Sequence, residues 1–247
     1  MGTAGISAGF LYPGHSAEDD YPRAAAMLGD VALPLVHTYM ESDAHVAEEL
    51  LRWGDDDVLA AGARELPDVD AVVWACTSGS FVHGWEGAHR QVASLAAATG
   101  LPASSTSLAF ARAAGALGLR RVAVAATYPP DVAGLFAAFL ADGGVDVAAT
   151  TQADILLAAD VGLLEREDVL RLAESGDHPD AEAVLLPDTA LHSVAWLEDL
   201  ERTLGKPVLT ANQVSIWDGL RLAGASAPRD GLGALFRGGF PALASGR

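Results

Sequence analysis

Cys76 is the single cysteine of the 247-residue chain, and it opens the run Cys76-Thr77-Ser78-Gly79-Ser80. One thiol beside three small hydroxyls can move a proton, or add to a carbon, while neighbouring donors hold an oxyanion. The residues before it, 69–75, are apolar and rich in β-branched side chains and read as a buried strand. A helical pattern follows. A thiol at such a turn faces a helix N-terminus, whose unpaired N–H groups favour the thiolate. The same N–H groups, with the hydroxyls of Thr77 and Ser78, suit a carboxylate or an enolate oxygen. A free cysteine more often fills space in a core, and Thr77 and Ser78 also read as helix caps. Their joint place at a strand end favours chemistry.

The elements that must position this run alternate strand and helix along the whole chain. Strands are expected at 5–12, 33–39, 69–75, 102–105, 121–126, 145–150, 183–186 and 207–210. Between them lie Ala-, Leu- and Glu-rich helical stretches, several ending at a glycine suited to the left-handed C′ position: Gly100, Gly118, Gly143 and Gly205. Alternation of this kind predicts parallel sheets with helices on both faces. The two halves also echo each other. Phe10-Leu11-Tyr12-Pro13 matches Ala126-Thr127-Tyr128-Pro129; 71–77 matches 183–189; Gly100-Leu101-Pro102 matches Gly205-Lys206-Pro207. Three anchors in one order point to duplication of a unit of roughly a hundred residues.

Duplication predicts two lobes, 1–117 plus 212–247 and 118–211, without a Pro/Ser-rich linker. Ligands of open α/β sheets bind beyond the carboxyl ends of strands, where Tyr12, Cys76, Tyr128 and Asp188 all fall. One cleft should therefore set Cys76 facing Asp188. Gly and Ser mark 237–247 as a tail.

Composition narrows the partners. Half of the chain is hydrophobic, enough for a full core, while a formal charge of −18 repels nucleic acid and anionic membranes. No apolar run approaches the ~18–20 residues of a membrane helix, and no signal peptide is recognised. One cysteine forms no internal disulfide, so a reducing cytoplasm is the expected compartment. The seven histidines are scattered without zinc-type spacing, so no metal is expected. The apolar helices leave room for a homodimer.

The segment Ala71-Val72-Val73-Trp74-Ala75-Cys76-Thr77-Ser78-Gly79-Ser80-Phe81 resembles the first active-site strand and loop of bacterial maleate cis-trans isomerases. Their wider group is the aspartate/glutamate/hydantoin racemase superfamily, which also holds arylmalonate decarboxylase. Thr127-Tyr128 is similar to that group's second-lobe tyrosine region, and 206–213 with Trp217 to its last strand and helix. The resemblance implies two pseudo-symmetric Rossmann-like (flavodoxin-like) lobes, an interlobe site, no cofactor, and a small carboxylate substrate held as an enediolate.

Carried onto this chain, the resemblance makes Cys76 catalytic. Thr77, Ser78 and Tyr128 become hydroxyl donors, and the backbone near Asp188 and Thr189 completes the cradle. Gly14-His15-Ser16 occupies the family's substrate loop without its asparagine, with His15 or Ser16 as the carboxylate contact. Asn212 points into the cleft or caps its helix. A second family cysteine would fall at 188, where this chain has Asp188. Arylmalonate decarboxylase is the reverse case, having lost the first-lobe cysteine and kept the second. Asp188 is then a second proton carrier, or a cap for a helix beginning near Leu191. His83 and His192 are further candidate carriers. An isomerase or racemase of small carboxylic acids is the first reading and a malonate-type decarboxylase the second. A non-catalytic acid-binding protein is the third, and a cysteine hydrolase comes last for want of a recognisable His–acid pair.

Overall fold

The computed structural model describes residues 5–240. Its first sheet holds β1 (Ile6–Pro13), β2 (Val31–Ala32), β3 (Leu35–Thr38), β4 (Ala71–Trp74) and β5 (Ala103–Ser105). The second holds β6 (Arg121–Ala126), β7 (Asp146–Gln152), β8 (Ala183–Leu186) and β9 (Val208–Thr210). β2 and β3 pair with one edge of β1, and β4 and β5 follow on the other; the second sheet runs β7-β6-β8-β9. All these pairings are parallel. The same order in both sheets is the three-dimensional form of the repeat read in the sequence.

The strand expected at 33–39 is divided in two. Pro34 has no N–H to give a ladder, but its carbonyl accepts the Phe10 N–H at 2.9 Å, which keeps both pieces on β1. Gly100, Gly118 and Gly205 take the left-handed conformation expected of them, with φ of 72°, 70° and 66°. Gly143 does not: its φ is −79°, and Gly144 at 81° makes the turn instead. Gly143 is needed for space, because a Cβ there would stand 2.7 Å from the Trp85 ring.

β6 shows how the layers divide. Val122, Val124 and Ala126 face the large core shared with β1, β4 and their helices; Ala123 and Ala125 face a smaller core beneath the helix Arg166–Gly176. This is the two-residue alternation of a strand buried on both faces. The shared core crosses between the sheets through Phe81, Phe110, Phe136 and Tyr128, with ring centroids 5.4–5.8 Å apart. The helix Ala211–Leu222 returns to pack on β1, β4 and β5 and against the helix Thr106–Ala116. Asp218 joins that pair, 2.8 Å from Arg112 and 2.6 Å from Arg221. No helix among the described residues is long and apolar enough to cross a membrane.

Candidate active site

β4 ends in the core, and the chain turns at Cys76 into a short helix, Ser78–Phe81. The thiol takes the place of a cap: Cys76 Sγ accepts the Gly79 N–H at 3.2 Å and lies 3.8 Å from Ser78 Oγ. Thr77 does not cap this helix, contrary to the alternative read from its type. Its hydroxyl is buried and has no hydrogen-bond partner, while its carbonyl accepts the Ser107 hydroxyl at 2.7 Å.

The expected thiolate is overturned. Cys76 is 2% exposed. Burial raises its pKa from 9.0 to about 12, against the lowering contacts from Gly79 and Ser78 and with a further push from the Asp188 charge. Desolvation outweighs the helix-end N–H groups because the ion would lose water on every side. The resting group is a neutral thiol, a proton donor.

Asp188 follows β8 and is 3% exposed. Its Oδ1 accepts the Ala190 N–H at 2.9 Å, and its Oδ2 accepts the Thr127 hydroxyl. It caps no helix at Leu191: the chain there turns, and helix begins only at Val194–Trp196 and Leu197–Leu204. The two tyrosines of the repeat clamp the same loop from opposite sheets. Tyr12 donates its hydroxyl to the Thr189 carbonyl at 2.8 Å, and Tyr128 to the Pro187 carbonyl at 2.7 Å. Burial holds both phenols well above their ordinary pKa, so both remain donors.

Cys76, Ser78, Asp188 and Thr189 line one cavity of about 80 Å³ between the sheets, together with Gly14, His15 and Ser16. A neutral thiol thus shares a small cavity with a carboxylate, with a hydroxyl beside the sulfur. That geometry can deliver a proton to a carbon held between them.

Residues 54–236 match the family model for arylmalonate decarboxylase. The chain belongs to the arylmalonate decarboxylase family. Arylmalonate decarboxylase of Bordetella bronchiseptica is 34% identical over 182 residues, which cover 70% of this chain and 75% of that protein. Among solved structures, a liganded double mutant of arylmalonate decarboxylase, one cysteine introduced and another replaced by serine, is similar with TM-score 0.80 and 26% identity. That match covers 95% of this chain and 99% of the other. A Nocardia farcinica maleate cis-trans isomerase mutant, solved with a covalently bound succinylcysteine intermediate, gives TM-score 0.85 at 22% identity, over 94% and 98% of the two chains. At that identity the likeness is one of fold. The chain is an enzyme of the arylmalonate decarboxylase family.

Not every residue singled out in the sequence reaches the cavity of this arylmalonate decarboxylase family member. Asn212 does not point into it and is no cap. It is fully buried, donating to Asp20 Oδ2 at 3.0 Å and to the Thr189 carbonyl at 3.2 Å. Thr210 is the cap, in a reciprocal box with Gln213. Asn212 thereby holds the Thr189 loop from behind. Thr77 and Tyr128 also stand behind the lining. His192 pairs with Asp19 at 2.7 Å, and His83 lines a separate polar cavity with Asp55 and Arg90. Ser16 donates to the Ala158 carbonyl at 3.4 Å, and His15 stands 3.2 Å from Glu18.

The sequence reading missed His45, Thr127 and Met40, the last of which lines the cavity. His45 is 3% exposed; its Nε2 lies 3.8 Å from Asp188 Oδ2, and its ring centroid is 4.8 Å from that of Tyr128. It arrives on an irregular loop that no periodicity marks. That loop is clasped to the opposite side of the cleft. His45 N–H donates to Leu156 O at 2.7 Å, Ala158 N–H to Asp43 O at 3.0 Å, and Ala44 forms an antiparallel bridge with Leu157. Thr127 was legible only as part of the Tyr128 motif.

Proposed function

We propose that this chain is a cofactor-independent decarboxylase of a malonic acid carrying one α-substituent, with Cys76 as the proton donor. The observation that carries it is the buried Cys76 lining one cavity with Asp188, where burial favours the protonated thiol. The family match and the name of the 34% identical relative support the reaction type.

In the proposed step the bond from Cα to one carboxylate breaks and CO₂ departs. The electron pair stays on Cα and delocalises into the remaining carboxylate as an enediolate. The Cys76 S–H proton then passes to Cα, and the thiolate regains a proton from solvent. The enediolate needs donors already in place. Ser78 Oγ stands beside the sulfur and lines the cavity. Substrate binding in a space this small requires the 43–45 and 156–158 loops to part. A reaction that returns the thiol after each turnover suits a reducing compartment, and the cytoplasm is the one inferred.

A second reading is favoured by Asp188 itself. A carboxylate opposite the thiol supplies a second face for proton transfer, as an isomerase or racemase of small carboxylic acids requires. Incubation in D₂O with aryl- and alkylmalonates, maleate, and D- and L-amino acids separates the two by NMR. CO₂ release with one deuteron at Cα supports the decarboxylase; exchange at Cα without net loss of carbon supports the second reading. Cys76→Ala is expected to lower turnover by ~10²–10⁴-fold, the range of general acid catalysis. Retained turnover removes the thiol from the mechanism.

A further inference from the structure

We propose that His15, Glu18 and His37 form a site for a divalent transition cation of the zinc class at the mouth of the cleft. One ligand atom from each lies within 4.8 Å of the other two. The spacing in sequence gave no sign of this, because the residues meet through strand register. Tyr12 pairs with His37 and Pro13 with Thr38 where β1 and β3 run side by side. Gly14, at φ 65°, then turns the chain so that His15 folds over His37. The two imidazole centroids are 3.8 Å apart.

The hydrogen bond of His37 suits ligation. His37 Nδ1 is 2.5 Å from the Gly14 carbonyl. A carbonyl only accepts, so Nδ1 carries the proton and the Nε2 lone pair is free. Backbone carbonyls orient metal-binding imidazoles in this way. Glu18 Oε2 accepts the Ser16 N–H at 2.7 Å, while Oε1 faces His15. Among the described residues no lysine or arginine pairs with Glu18, and the His15 ring stands 3.2 Å from its Oε1. Two imidazoles and one carboxylate leave a fourth position for water, a common zinc arrangement. Tetrahedral bonds of ~2.0–2.2 Å put ligands ~3.4 Å apart, which small side-chain rotations reach because both histidines are exposed. A net charge of −18 raises the local concentration of cations. His15 also lines the substrate cavity, so a bound ion would tie that wall to the sheet edge. The site does not depend on the reaction proposed above.

The test uses the full chain with any affinity tag removed. Zn²⁺ is titrated by calorimetry, and Co²⁺ by visible absorption for tetrahedral bands. One equivalent per chain is expected, and His37→Gln and Glu18→Gln should each weaken it by ~10-fold or more. Zn²⁺ should also protect His15 and His37 of the unmodified chain from acylation, read by mass spectrometry, a measurement that needs no variant to fold. Absence of saturable binding, binding untouched by both substitutions, or equal acylation with and without Zn²⁺ overturns the proposal.

Discussion

At the scale of single residues, the chemistry turns on which state of Cys76 the fold selects. Burial without a cationic partner selects the thiol, and three predictions belong here. Alkylation of Cys76 by iodoacetamide at neutral pH should be far slower than that of a free cysteine in mass-spectrometric time courses; equal rates would show an accessible thiolate. The raised pKa also has a thermodynamic sign. Below pH 9 the thiol is protonated folded and unfolded, and its contribution is constant. Between 9 and about 12 the unfolded chain loses this proton while the folded chain keeps it, so stability falls as pH rises. Urea midpoints over that interval should fall less in Cys76→Ser than in the unmodified chain. Asp188→Asn is expected to abolish two-sided proton exchange and to spare decarboxylation, with chiral analysis of the product in D₂O as the readout. Loss of CO₂ release in that variant would give Asp188 a direct part in the decarboxylation.

Elements place these residues through close contacts that leave little slack. The helix Arg166–Gly176 seats on β6 at Gly176, where a Cβ would lie 2.5 Å from Ala125 Cβ and 3.0 Å from its Cα. The obstacle is backbone and a methyl group, neither of which can swing away. Gly176→Ala should therefore cost about 1–3 kcal/mol, measured as a lowered urea midpoint; an unchanged midpoint would mean that the helix shifts freely. The same logic of tight seating holds the Thr189 loop, fixed from three sides by Tyr12, Tyr128 and Asn212. Asn212 therefore serves the cavity without entering it.

For the molecule as a whole, two sheets of like order set their strand ends against each other, and the shared core keeps that opposition fixed. The overall field opposes an anionic substrate. With a charge of −18, kcat/KM for a malonate dianion should rise with salt, as the screening length falls from ~30 Å at 0.01 M to ~10 Å at 0.1 M. A fall in kcat/KM over that range would instead reveal a local cationic path to the cleft.

What the sequence alone determined is the periodic part. Alternating apolar strands and amphipathic helices specify parallel layers, and the repeated anchors at Tyr12 and Tyr128, and at Cys76 and Asp188, specify two of them. Strand ends were therefore legible, and with them the thiol and the acid. Tertiary structure decided what depends on surroundings. Cys76 is a thiol because neighbours distant in sequence exclude water from it, and no local pattern encodes that. His45 enters on a loop without period, held by hydrogen bonds to residues more than a hundred positions away. Asn212 turned from the cleft because buried Asp20 and the Thr189 carbonyl needed its amide. Local pattern fixes where chains run straight; solvation and long-range pairing fix what the side chains at their ends can do.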